Sequence, residues 1–180
     1  MSTKLISPLL EEFKKMKYQG QAAIAQLTQQ DLLTRINPQQ NSIAVIVKHL
    51  RGNLLSRFTD FLTSDGEKPD RHRDQEFEMV PGATRAEVMR WWEEGWAQVL
   101  AAVDALRPED LMGVVTIRGE PHSVLQALNR QVAHYAYHVG QIVFLAKHLH
   151  FREWKSLSIP RGKSEEINQR LGERKTGPRS

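Results

Sequence analysis

The chain has 180 residues, 40% of them apolar and 26% charged, enough for one domain with a substantial core and too few to need a second. It contains no cysteine, which excludes disulfides, thiolate metal ligands and a cysteine nucleophile, so any metal must be held by histidine, carboxylate or amide oxygen. The net charge of +4 sits in the last thirty residues, which carry 8 basic and 4 acidic side chains, against 17 of each in residues 1–150.

The first predicted helix runs from Lys4 to Leu27, with Leu5, Leu9, Phe13, Met16, Ile24 and Leu27 available for one broad apolar face. The second starts behind Ser42, a good N-cap, and continues to about Leu62. About twenty residues, Thr63 to Ala83, then separate it from the third helix. Antiparallel neighbours need only about two to eight, so this length implies a crossover, with the second and third helices running in the same direction. The third helix opens with the capping box Thr84-Arg-Ala-Glu87, carries Val88, Trp91, Trp92, Trp96, Val99 and Val103, and stops before Pro108. Leu106-Arg-Pro-Glu-Asp-Leu-Met112 after it echoes Leu27-Thr-Gln-Gln-Asp-Leu-Leu33 after the first, a weak sign of a helix-loop-helix unit used twice. Val114-Val-Thr-Ile117 reads as a short extended piece, and the fourth helix runs from near Ser123 to about Leu149.

The expected fold is all-α, a four-helix bundle in a single domain over residues 1–168. Trp154, Leu157 and Ile159 anchor an ordered C-terminal extension, and residues 169–180 form a basic tail expected to fray. Gly162-Lys-Ser164 lacks the upstream glycine and the preceding strand of a phosphate-binding loop, so nucleotide binding is rejected. The basic tail lacks the aromatic interleaving or recognition helix of a nucleic-acid binder and reads as a solvated terminus. No apolar run nears the roughly 18 residues of a membrane span. No signal-like stretch opens the chain, and the expected location is the cytoplasm.

Seven histidines are present. His134 and His138, four residues apart in an apolar helix, share one face and can converge on one point, the usual way a helix offers two nitrogens to a metal. On spacing alone, coincidence stays open. His49 adds a third imidazole from the second helix, flanked on its own face by Val45, Ile46, Gly52 and Asn53. Three unpaired imidazoles in one bundle interior would be costly, and a metal removes that cost by using a nitrogen from each ring. Antiparallel packing of the second and fourth helices would bring these rings to similar heights. Gly52 and Gly140 leave room for a ligand or a close backbone approach. His72, His122, His148 and His150 read as solvated or terminal positions and are not assigned to a metal.

Asn41-Ser-Ile-Ala-Val-Ile-Val-Lys-His-Leu-Arg-Gly-Asn53, Asp65-Gly-Glu-Lys-Pro69 and His134-Tyr-Ala-Tyr-His-Val-Gly-Gln-Ile142 resemble the DinB-like (YfiT-like) superfamily, in a bacterial branch of undefined function. The resemblance covers nearly the whole chain to about Asn168. It implies a four-helix bundle with a long crossover, often a homodimer, and a divalent metal on three histidines, here His49, His134 and His138. It also implies a metal-dependent transferase that activates a low-molecular-weight thiol and acts on an electrophile. Zinc is the default metal, with nickel, iron or manganese open. Three neutral imidazoles would leave zinc an open position, and a missing cysteine agrees with a thiol supplied from outside. No clear general base is visible. Asn53, Tyr137 and Gln141 are candidates to support the site, and Arg57, Arg73, Arg118 and Arg161 are candidates to bind a carboxylate substrate. The rival reading is a metal-binding stress-response protein without catalysis.

Overall fold

Side chains that satisfy their own backbone start most of the secondary structure. In the computed structural model, which describes residues 3–79 and 81–176, Ser42 Oγ accepts the Val45 N–H at 3.3 Å and opens the helix Ile43–Phe58. Thr84 and Glu87 close their reciprocal box at 3.2 and 2.9 Å and open Arg85–Asp104. Ser123 and Gln126 do the same at the head of Val124–Leu149, at 3.1 and 2.8 Å. In chain order the helices are α1 (Thr3–Ile24), α2 (Gln29–Leu33), α3 (Ile43–Phe58), α4 (Arg85–Asp104), α5 (Val124–Leu149) and α6 (Ser164–Thr176). Tighter 3-10 turns occupy Arg73–Phe77 and Pro108–Met112.

The boundaries differ from the periodicity in places with local causes. α1 stops at Ile24, before Leu27, because Thr28 and Asp31 form a capping box of their own that starts α2 and buries Leu32. α3 stops at Phe58, short of Leu62; two residues on, Asp60 takes a left-handed backbone (φ 49°) that the helix cannot continue through. The piece at Val114–Ile117 is one arm of a hairpin: β1 (Val114–Ile117) pairs antiparallel with β2 (Glu120–Ser123), Val114 opposite Ser123 and Ile117 opposite Glu120. Arg118 (φ 58°) and Gly119 (φ 75°) make its two-residue turn, whose backbone twist matches the twist of the strands. α6 carries helix into the segment expected to fray, with Glu166 bridging Lys163 at 2.9 Å and Arg170 at 2.7 Å. Residues 177–180 of that tail lie outside the described residues.

The protein is mostly helical, and α1, α3, α4 and α5 enclose one core. Phe13, Phe58, Trp92, Trp96 and Tyr135 fill its centre, fully buried, with Trp92 and Trp96 ring centroids 5.3 Å apart. α3 packs mainly on α4, and α1 on α5. Contacts between α3 and α4 advance in step along both: Arg51 Nε meets Glu94 at 2.6 Å, and further on Gln98 Nε2 donates to the Phe58 carbonyl at 3.0 Å. Gly95 permits this approach, since a Cβ there would lie 2.9 Å from Leu54 Cδ1 and 3.1 Å from Arg51 Cα. The long connection from α3 to α4 is laid over α3 and tied to the hairpin. The Gly66 N–H donates to the Thr116 carbonyl at 2.8 Å, and Asp65 accepts from the Arg118 and Gly119 N–H groups at 2.9 and 2.7 Å. The Glu67 N–H, donating to Asp65 at 2.6 Å, and then the Gly119 and Arg118 N–H groups pull the Asp65 carboxyl down to about 2. Among the described residues no helix is long and apolar enough to cross a membrane.

Candidate metal centre

α3 and α5 bring three imidazoles to one point. His49 is buried on α3 among the apolar side chains that face the core, one turn past Ile46. His134 and His138 lie half-buried on consecutive turns of α5, beside the fully buried Tyr135. Ring centroids are 4.7 Å apart for His134 and His138, 4.9 Å for His49 and His138, and 5.6 Å for His49 and His134. One nitrogen from each ring lies within 4.8 Å of the other two, and the His134 and His138 Nε2 atoms are 3.1 Å apart. Two nitrogens on a tetrahedral zinc at about 2.0–2.1 Å would be about 3.3–3.4 Å from each other, so the α5 pair already has ligand spacing.

The electrostatics keep the α5 pair in ligand form. Burial, then the neighbouring His138 and His49, lowers His134 to about 3. Burial and His49 lower His138 to about 4. Both rings are therefore neutral at pH 7, as metal ligation requires. The Nδ1 atoms of His138 and His49 are occupied. His138 Nδ1 donates to Gln141 Oε1 at 2.9 Å, and His49 Nδ1 donates to the Glu76 carboxylate at 2.8 Å. That leaves Nε2 of both rings free to face the centre. Phe77 stacks on the His49 ring with centroids 4.5 Å apart.

Behind this centre runs a buried chain of charges. Arg71 grips Glu76 with Nε and Nη2 at 2.8 and 2.9 Å. Burial opposes the Glu76 charge, but the His49 and Arg71 contacts outweigh it and hold its carboxyl below the usual range. Glu67 next receives Arg57 at 2.9 Å and both Arg71 and Arg118 at 3.3 Å.

The sequence candidates divide by this geometry. Gln141 touches His138, and Tyr137, exposed on the protein surface, presents its ring 5.1 Å from that of His138. Asn53 is buried one turn past His49, where its Oδ1 accepts the Tyr135 hydroxyl at 3.0 Å. Arg73 lies over the Phe77 ring, 5.0 Å from its centroid. Arg57 is buried against the Gly66 carbonyl and Glu67, and Arg118 sits at the hairpin tip, so their charges are committed to the chain itself. Arg161 is exposed in the segment before α6. Sequence reasoning missed Glu76, Arg71 and Phe77. Their stretch reads as alternating surface charge, and the one local hint was Gly52, whose free side faces the Glu76 carboxylate.

A cleft of about 310 Å³ adjoins the centre through Gln141, lined also by Gln39, Gln40, Asn41, Ile46, Phe144 and Leu145, with no charged side chain among them. A protein family described as "Protein of unknown function (DUF1572)" matches residues 1–163. No curated protein matches the chain.

Proposed function

Because this chain belongs to the DUF1572 family, whose description assigns no activity, we propose a function from its own side chains: it binds a divalent metal, zinc by default, on His49, His134 and His138. One observation carries this reading, the convergence of three imidazoles from two helices, with the two on α5 held neutral. A metal bound there would supply Lewis acidity and lower the pKa of a thiol or water entering its open position. The chain's own contribution is to hold three nitrogens in place, to bury one side of the centre with Phe77 and Tyr135, and to leave the side of Tyr137 and the uncharged cleft open. With no cysteine of its own, the protein would take its thiol as a cosubstrate and transfer it to a small electrophile.

A specific observation favours the rival, a metal-binding stress-response protein without turnover. Every carboxylate near the centre is already committed: Glu76 serves His49 and Arg71, and Glu67 serves three arginines. Asn53 is held by Tyr135. Among the described residues, no carboxylate beside the centre is left free to act as a general base on the open side. Thiol consumption by the metal-loaded protein, with 1-chloro-2,4-dinitrobenzene as electrophile, separates the two readings. Loss of thiol that stops on metal removal supports the transferase; a rate equal to buffer leaves the binding role alone.

The same reading places the fold in the DinB-like superfamily, as a helical bundle with α3 and α4 running in the same direction and a crossover between them. The contacts that advance in step along the two helices support it. It also makes the protein a homodimer. In support, Tyr137 and Phe144 are exposed on one face of α5, within residues 131–146 that carry no charged side chain, so a second copy seated there would wall the cleft beside the centre instead of leaving it to bulk solvent.

A further inference from the structure

We infer that Glu76 is the positioning residue of the metal centre, and that Gly52 exists in α3 to admit its carboxylate. The inference rests on the metal reading above. Glu76 reaches His49 from a 3-10 turn 27 residues further along the chain, and both side chains are buried. A carboxylate can only accept, so the contact fixes the proton on His49 Nδ1 and leaves the Nε2 lone pair for the metal. Without this contact the ring would be free to carry its proton on Nε2, where it would block ligation.

Three further features hold the carboxylate in that pose. The Arg71 guanidinium takes both of its oxygens in a fork, and Arg71 is itself held by Glu67. Phe77, the next residue, stacks on the same imidazole, so adjacent residues of one turn fix both the plane and the tautomer of His49. Gly52 lies one turn past His49, and a Cβ on it would overlap the Glu76 carboxylate, coming within 2.6 Å of Cδ. The atoms in the way are the far end of a flexible side chain. An alanine at 52 would therefore push the carboxylate off His49 while leaving α3 whole, and it would favour helix by removing a glycine.

The proposal separates two variants from ordinary structural damage. Glu76→Gln and Gly52→Ala should each raise the Kd for Zn²⁺, measured against a chromophoric chelator, by about 10–100-fold. The metal-free Gly52→Ala protein should keep the wild-type circular dichroism spectrum and a single cooperative melt, which separates the loss of affinity from unfolding. Kd values within twofold of wild type for both variants overturn the inference. If His49→Ala keeps wild-type zinc affinity, or the wild type binds no zinc, the metal reading fails and the inference with it. A measurement on the unaltered protein guards against variants that do not fold. In ¹⁵N-edited NMR of the metal-free wild type, the His49 ring should be the Nδ1–H tautomer, and an Nε2–H ring overturns the proposal.

Discussion

Replacing Arg71 by methionine removes the cation at the middle of the buried charge chain without removing its volume. The side chain is 5% exposed and makes three contacts, two to Glu76 and one to Glu67. Glu67 keeps Arg57 and Arg118 in the variant, whereas Glu76, 9% exposed, keeps only the His49 N–H. A buried carboxylate stripped of its partner costs about 3–5 kcal/mol, a large part of the roughly 5–15 kcal/mol that holds a domain together. For a chain of this size that is a fall in melting temperature of roughly 6–20 °C, at about 2–4 °C per kcal/mol. Urea titration of the metal-free protein is the assay, with the m-value required to stay constant. Adding Glu76→Gln should recover about 1 kcal/mol or more, because the orphaned charge is then gone. A single variant that loses less than about 1 kcal/mol, or a double variant less stable than the single by the full cost of Glu76→Gln alone, would refute the argument that burial makes this chain matter.

Three further outcomes follow from other parts of the structure. Gly95→Ala should lose about 1–3 kcal/mol, despite the helix preference of alanine, because Arg51 Cα cannot retreat from the new Cβ; an unchanged melting temperature contradicts the close approach of α3 and α4. Tyr135→Phe removes the hydroxyl that Asn53 Oδ1 accepts inside the core and should cost about 1–3 kcal/mol by thermal denaturation, whereas a neutral change would mean that Asn53 finds another donor. The metal-free protein should lose stability as pH falls from about 6.5 to about 4. The folded His134 and His138 titrate near 3 and 4, so only the unfolded chain takes up protons in that window, and the contribution is complete above it. Denaturation midpoints at pH 7.5, 5.5 and 4.5 check this, and a flat series contradicts it.

What was legible in the sequence was local or periodic. Ser42, Thr84 and Ser123 act through hydrogen bonds to backbone three residues away, so the starts of α3, α4 and α5 can be read directly. The His134 and His138 pair is legible for the same reason, as one helical turn brings the rings together. β2 was hidden because Glu120-Pro-His-Ser has no apolar alternation and becomes a strand only by pairing through the Arg118-Gly119 turn. α2 was hidden because five residues are too few to show a period. Glu76 could not be distinguished from Asp74 or Glu78, since its role depends on a fold that returns it to His49. The arginines illustrate the converse. Arg57 offers a free charge on paper, yet in the folded chain Glu67 and the Gly66 carbonyl already hold it.

The central claim is that His49, His134 and His138 hold one divalent metal, and metal analysis of the purified protein after equilibration with excess Zn²⁺ and desalting tests it most directly. One equivalent per chain is predicted for the wild type, falling well below that in each of His49→Ala, His134→Ala and His138→Ala. Full stoichiometric zinc in all three variants, or none in a folded wild type, would contradict it.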